Sequence, residues 1–235
     1  MTEAVLSCRG LTRTYSNGGG VVNAVTEIDL EMHKSEFIAI VGPSGSGKTT
    51  LLSMLGGLEK PSSGEMFVDG EPVNTKFRDL SDYRREQVGF VFQSYNLVPH
   101  LTAMENVLLP MELAGVPRRD RKPRAVELLT SVGIPAERYG HKPSRLSGGE
   151  QQRVAVAIAR ALANTPPVLL ADEPTGNLDK KNAGQVIDLL RRMAKNGGLC
   201  VVLVTHNEKI ASEADRVVTL NFGRVEVEGG TGWLG

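Results

Sequence analysis

Nine consecutive residues carry the clearest chemical signal in this sequence: Gly42, Pro43, Ser44, Gly45, Ser46, Gly47, Lys48, Thr49 and Thr50. The spacing Gly42, four residues, Gly47, Lys48, Thr49 is that of a phosphate-cradling loop. Glycines without side chains let backbone N–H groups turn inward onto anionic oxygens. A helix starting near Lys48 adds the partial positive charge of its N-terminus. The Lys48 ammonium can reach the β- and γ-phosphates, and the Thr49 hydroxyl is placed to coordinate Mg²⁺. Such a loop needs a strand before it and a helix after it. Phe37–Val41 supplies the apolar, β-branched run, and Thr50, Leu51, Leu52, Met54 and Leu55 continue as a helix that Gly56 and Gly57 stop.

Further chemistry sits where other apolar runs end. Val168–Ala171 closes on the carboxylate pair Asp172 and Glu173. At the tip of a strand in an open parallel sheet, Asp172 faces the ligand crevice and can hold Mg²⁺ directly or through water, and Glu173 can take a proton from an attacking water. Cys200–Val204 ends in Thr205 and His206. A histidine at a strand tip is commonly a structural hydrogen-bonder, yet a third such strand ending in a polar side chain points to one shared crevice. Val88–Phe92 ends in Gln93, which is either an exposed strand end or a ligand reaching the metal and the attacking water; spacing leaves both readings open.

Ser147, with Glu150 three residues on, has the pattern of a helix N-cap. Gly148 and Gly149 are unfavourable at the front of a helix unless backbone must come close to something, so this segment reads as a second anion site. Tyr15, just before the Ser16–Gly20 turn, could offer its ring to a planar base or could simply pack in a hairpin.

Several elements must position these groups. Val5, Leu6, Cys8 and Leu11, then Val21–Val25, Ile28 and Leu30, read as antiparallel strands, and Glu65–Gly70 with Glu71–Val73 as a short strand and its return. Leu80–Gln87 is polar and helical in character. Leu97–Leu162 is helical, with Met104, Val107, Leu108 and Met111 at helical spacing, a break at Pro117 and a second amphipathic helix over Arg121–Val132. The Arg118–Lys122 charge run reads as a solvated helix start. A helix over Lys180–Asn196 and a closing hairpin of Arg216–Leu220 and Arg224–Val227 complete the chain. The fold class expected is α/β: a core sheet carrying the phosphate loop, an antiparallel β subdomain and an inserted helical subdomain.

With 235 residues and 40% hydrophobic content the chain can build a sizeable core. Lys+Arg and Asp+Glu number 27 each, so the net charge is zero, which argues against a nucleic-acid binder relying on a broad basic face. No stretch approaches the roughly 18 to 20 apolar residues of a membrane span, and Met1–Val5 lacks a signal pattern, so a cytosolic chain is expected. Cys8 and Cys200 have no metal-binding or redox spacing and read as buried structural thiols.

The phosphate loop, Gln93, Leu146–Arg153, Asp172-Glu173, Asp179 and His206 occur in the order that resembles the nucleotide-binding subunit of an ATP-binding-cassette (ABC) transporter, over essentially the whole length. Leu146-Ser-Gly-Gly-Glu-Gln151 is the most family-specific element. The resemblance implies one ABC ATPase domain, with 1–93 and 164–235 as nucleotide-binding core and β subdomain and 94–163 as helical subdomain. It implies that Tyr15 stacks on adenine, that Gly42–Thr50 wraps the phosphates, and that Thr49, Gln93 and Asp172 serve Mg²⁺. Glu173 becomes the general base, with Lys48, Gln93 and His206 also catalytic and His206 touching the γ-phosphate. Ser147, Gly148, Gly149 and Asp179 join the nucleotide-binding set, the first three by closing over the γ-phosphate bound to a second copy, so that a homodimer sandwiches two ATP-Mg²⁺.

The implied partner is a separate membrane permease, engaged through Leu97–Leu113, with the chain peripheral on the cytoplasmic face of the inner (plasma) membrane and no nucleic acid bound. Gly89-Phe-Val-Phe-Gln-Ser-Tyr-Asn-Leu97, Thr102–Asn106 and Ala171–Asp179 look most like the lipoprotein-release, macrolide-export and cell-division subgroup. Asn221-Phe-Gly223 departs from it, since an acidic residue more often precedes that glycine; the change falls in a surface turn. The same residues would also serve an ATP-driven signalling or mechanotransmission switch. Cassette proteins that act on nucleic acid or ribosomes typically carry two cassettes or a long coiled coil, and neither is present.

Overall fold

The computed structural model describes residues 4–17, 20–146 and 150–230. Two long strands, β1 (Ala4–Asn17) and β2 (Gly20–His33), form an antiparallel ribbon and lead into β3 (Phe37–Val41) and α1 (Lys48–Leu55). Next come β4 (Ser63–Val68), β5 (Glu71–Pro72), α2 (Val73–Lys76), α3 (Leu80–Gln87) and β6 (Val88–Val91). A helical stretch follows: α4 (Ala103–Leu113), α5 (Arg118–Ser131), two 3₁₀ turns at Ala136–Arg138 and Pro143–Arg145, and α6 (Glu150–Ala161). The chain then alternates through β7 (Val168–Asp172), α7 (Lys180–Gly197), β8 (Cys200–Val204) and α8 (Glu208–Ala211) to the hairpin of β9 (Arg216–Asn221) and β10 (Arg224–Gly230).

The strands make two sheets, of orders β2-β1-β4-β5 and β10-β9-β3-β8-β7-β6. In the second, β9, β3, β8, β7 and β6 run parallel and only β10 is antiparallel. Residue alternation explains how this sheet is covered on both faces. Phe37, Ala39, Leu169, Ala171, Val201 and Leu203 face one core, shared with apolar residues of α4, α5, α6 and α7. Ile38, Ile40, Val168, Leu170, Cys200, Val202 and Val204 face another, filled by Leu51, Leu52, Met54 and Leu55 of α1 and by the first sheet. Helix α1 is therefore clamped between the two sheets, which fixes the loop at its N-terminus.

Cys8 and Cys200 are both buried, and burial raises the Cys200 thiol well above the ordinary range. Among the described residues no helix is long and apolar enough to cross a membrane. The second amphipathic helix begins at Arg118, directly after Pro117, so the charge run is its first turn.

One buried polar residue ties α4 to the loop that precedes it. Asn106 on α4 is fully buried; its Oδ1 accepts from the Val98 N–H (2.8 Å), and its Nδ2 lies 3.2 Å from both Val98 O and Leu101 O and 2.9 Å from Thr102 O. These contacts hold the segment between Gln93 and α4, whose start is fixed by a Thr102/Glu105 capping box. The Asn106→Leu variant removes the side-chain partner of the Val98 N–H and Leu101 O, whereas Val98 O and Thr102 O still accept from the N–H groups of Leu101 and residue 106, and should lose about 2 kcal/mol of stability, seen as a lower urea midpoint at unchanged slope.

Candidate active site

The parallel strands end on one edge of the sheet, and four of the loops that leave them there carry the polar residues singled out above. The phosphate loop follows β3. Gly42 (φ 152°) and Gly47 (φ 99°) are required sterically: a Cβ on either would lie about 2 Å from a backbone oxygen, Leu220 O at 2.0 Å and Ala24 O at 2.1 Å. Gly47 is the N-cap of α1 with no side-chain cap bond, and the first turn of the helix holds no acidic residue. The first N–H groups of α1 thus have no partner within the helix and suit an anion.

The Lys48 side chain is buried, 8% exposed, and folds back over the loop. Its Nζ donates to Gly42 O (2.9 Å) and Pro43 O (2.8 Å) and lies 3.4 Å from Ser46 Oγ. The ammonium is therefore held across the mouth of the loop, where phosphate oxygens would meet it. Pro43, Ser44 and Gly45 are exposed at the tip, Ser46 is buried, and Thr50 is half-buried in the first turn of α1.

Thr49 points toward β7, and its hydroxyl donates to Asp172 Oδ1 at 3.5 Å. Partial burial raises the Asp172 carboxyl above the ordinary carboxylate range; the Glu173 charge pushes the same way, and the Thr49 hydrogen bond and Lys48 charge oppose it. A carboxylate short of positive charge beside a hydroxyl is a fitting pair for a divalent cation, which would restore the ionised form. Among the described residues no cluster of three or more His, Cys, Asp or Glu could hold a metal alone. Mg²⁺ itself takes one or two protein oxygens and completes its shell with water and phosphate.

Glu173 adopts φ 43°, unusual for a residue with a side chain, and its N–H is bonded to Val204 O (3.0 Å) on the neighbouring strand. His206 Nδ1 lies 3.0 Å from Glu173 Oε1, with the imidazole 69% exposed and the carboxylate 22% exposed. A Cβ built on Gly176 would stand 3.6 Å from Gln93 Nε2 and 3.7 Å from Glu173 Oε2. Gln93 therefore converges with Glu173 on one locus, which favours the ligand reading of a glutamine at this strand end.

Other residues singled out by sequence stand apart. Asp179 caps α7: Oδ1 accepts from the N–H groups of Lys181 and Asn182 (both 3.0 Å) and Oδ2 from Asn182 Nδ2 (2.6 Å), contacts that hold its carboxyl below the ordinary range. Tyr15 gives its hydroxyl to the Glu59 carboxylate (2.7 Å), and the Arg13 guanidinium lies 4.7 Å over its ring. Ser147, Gly148 and Gly149 lie outside the described residues. A cavity of about 390 Å³ opens over the phosphate loop, lined on its far side by Val22, Asn23, Ala24 and Phe222. Sequence reasoning missed these four; the only signal was the unusual Asn221-Phe-Gly223.

The assembled groups (an amide cradle, a buried lysine, a hydroxyl–carboxylate pair and a carboxylate beside a histidine) are the parts needed for phosphoryl transfer from a nucleotide to water. Comparison with known proteins agrees. The family model described as ABC transporter matches residues 25–176, more than half of the chain. The lipoprotein-releasing system ATP-binding protein LolD 1 of Rhodospirillum rubrum is 45% identical over 226 residues, 96% of this chain and 99% of that one. The macrolide export ATP-binding/permease protein MacB of Wolinella succinogenes is 45% identical over 96% of this chain and 34% of its own length. A dimeric cassette from Methanocaldococcus jannaschii, solved in a post-hydrolysis state with ADP and Pi, superposes with a TM-score of 0.86 at 40% identity, covering 96% of this chain and 98% of that one. This chain belongs to the ABC transporter family, as an ATP-binding cassette subunit with ATPase activity.

Proposed function

We propose that two copies of this chain close around two ATP-Mg²⁺ and drive a separate membrane permease of the lipoprotein-release or macrolide-export type. The observation that carries the reading is the convergence of Lys48, Thr49, Asp172, Gln93, Glu173 and His206 at one edge of the parallel sheet. The whole chain works as one ATPase domain, with 94–163 as its helical part. The loop amides and Lys48 bind and orient the triphosphate. Glu173 takes the proton from the attacking water, and His206, held against Glu173, reaches the γ-phosphate. Thr49, Gln93 and Asp172 would hold Mg²⁺, which supplies charge neutralisation on the phosphates. Ser147, Gly148 and Gly149 close over the γ-phosphate bound to the second copy, and Asp179 belongs to the nucleotide-binding set; the dimeric relative bound to ADP and Pi supports the pairing itself.

A groove of about 610 Å³ supports docking to a permease on the cytoplasmic face of the membrane. Its lining includes Phe90 and Phe92, stacked at 4.3 Å, and Leu109, Pro110 and Leu113 at the end of α4, with Leu113 75% exposed, together with Arg84, Arg85 and Arg160. An exposed apolar patch rimmed by charge is suited to protein docking.

ATP-driven pairing tests the reading. The Glu173→Gln chain, mixed with ATP and Mg²⁺, should elute at twice its monomer mass in size-exclusion chromatography with light scattering, and a further Ser147→Arg change should abolish that shift. A Glu173→Gln chain that binds ATP and stays monomeric would remove the two-copy mechanism.

A further inference from the structure

We propose that Arg160 is a positioning residue for hydrolysis, acting through the backbone that follows Gln93 to hold that side chain at the locus it shares with Glu173. The inference rests on the reading that Gln93 serves the site. Between β6 and α4 the chain reverses within a few residues: the Tyr95 N–H donates to Phe92 O (2.8 Å) and the Asn96 N–H to Ser94 O (2.7 Å). Tyr95 (φ 60°) and Asn96 (φ 46°) both lie in the left-handed region, which is uncommon for one residue with a side chain and more so for two in succession. Such a turn persists only where its surroundings over-determine it. One anchor is the Tyr95 side chain, buried in the core that α4, α5 and α6 share with the sheet.

The other anchor is Arg160, near the C-terminal end of α6. Its Nη2 donates to Tyr95 O (2.8 Å) and its Nη1 to Asn96 O (2.5 Å), so one planar guanidinium spans the carbonyls of both left-handed residues. Burial lowers the guanidinium below its ordinary range, and no ion pair among the described residues offsets that cost. The charge is answered by two loop carbonyls, and what it secures is the path of the chain out of Gln93. The helix that carries it is fixed in turn, because a Cβ on Gly89 would stand 2.5 Å from Ala161 O, which puts the end of α6 directly against β6. Gln93 itself is exposed, and only Ser94 separates it from the pair that Arg160 holds. Arg160 also lines the groove assigned to the permease. Assays on the chain without a permease keep that contact out of the measurement.

A double-mutant cycle on the full chain, read by single-turnover hydrolysis at saturating ATP, tests this. Arg160→Met keeps a long side chain and removes its donors. It should lower the hydrolysis rate about 10- to 100-fold while calorimetric ATP affinity stays within about a factor of two of wild type. In a Gln93→Ala background the same change should cost less than about twofold, because the group it positions is gone. Arg160→Lys keeps the charge and can reach one of the two carbonyls. It should lose about threefold in the wild-type background and nothing further in Gln93→Ala, so the cycle can be read even where Arg160→Met does not fold. Equal fractional losses in the two backgrounds would overturn the inference, as would a wild-type rate in Arg160→Met or a parallel loss of ATP affinity. Hydrolysis at the wild-type rate by Gln93→Ala would instead remove Gln93 from the site, and the inference with it.

Discussion

Replacing Glu173 by Gln should reduce ATP turnover by at least about 10²-fold while leaving ATP affinity within about a factor of two of wild type. The argument begins with the backbone. The Glu173 N–H is tied to Val204 O and its φ is 43°, so the residue is turned out of β7 toward the crevice. There Oε1 meets His206 Nδ1 at 3.0 Å and Oε2 lies near the locus shared with Gln93. Glutamine has the same shape and keeps an oxygen for His206, so the fold and the crevice persist. It cannot accept a proton from water, so only the chemical step is lost. Triphosphate binding rests on Lys48 and the loop amides, which the change does not touch. Single-turnover hydrolysis and calorimetric ATP binding on the same preparation check this. Hydrolysis retained above about a tenth of wild type would remove the general-base assignment, because general-base contributions are typically at least 10²-fold.

Much of this arrangement is legible in the amino-acid sequence, for a physical reason. The loop at Gly42–Thr50 is a local object: its glycines, lysine and helix start act within nine residues, and strand periodicity on either side sets its context. The strand-end residues Asp172, Glu173 and His206 are legible because parallel strands buried on both faces are continuous apolar runs, and the first polar residue after each run marks the sheet edge. Gln93 is ambiguous in sequence because its approach to Glu173 beside Gly176, more than eighty positions away, is encoded by no local pattern.

The same limit explains what sequence leaves unsaid. Asp179 has the pattern of a helix N-cap before Lys181 and Asn182, and its carboxylate is used for that purpose within its own helix. Phe222 reads as part of a surface turn, which it is by exposure; only the bonds from Gly223 to Ser46 and Thr26 bring that turn to the rim of the phosphate loop. Asn106 reads as an ordinary polar residue on an amphipathic helix, and its burial depends on the return of Val98–Thr102 over α4.

The Lys48→Ala variant should lose ATP binding itself, by about 10²-fold or more, in contrast to the Glu173 variant. Two contributions act together. The ammonium supplies charge-assisted hydrogen bonds to phosphate oxygens, each worth about 1.5–3 kcal/mol. It also braces the loop, since Nζ bridges Gly42 O and Pro43 O across a turn whose glycines could otherwise take many conformations. Lys48→Arg separates the two. The guanidinium keeps the charge, but its planar fork does not fit a space shaped by a single tetrahedral ammonium, so affinity should fall between wild type and Lys48→Ala. Calorimetric titration with ATP and with tripolyphosphate should show the same losses for both ligands, because Lys48 acts on the phosphates and not on the base. Unaltered ATP affinity in Lys48→Ala, with the thermal transition preserved, would show that the nucleotide is held elsewhere and would take with it the roles of Thr49 and Asp172.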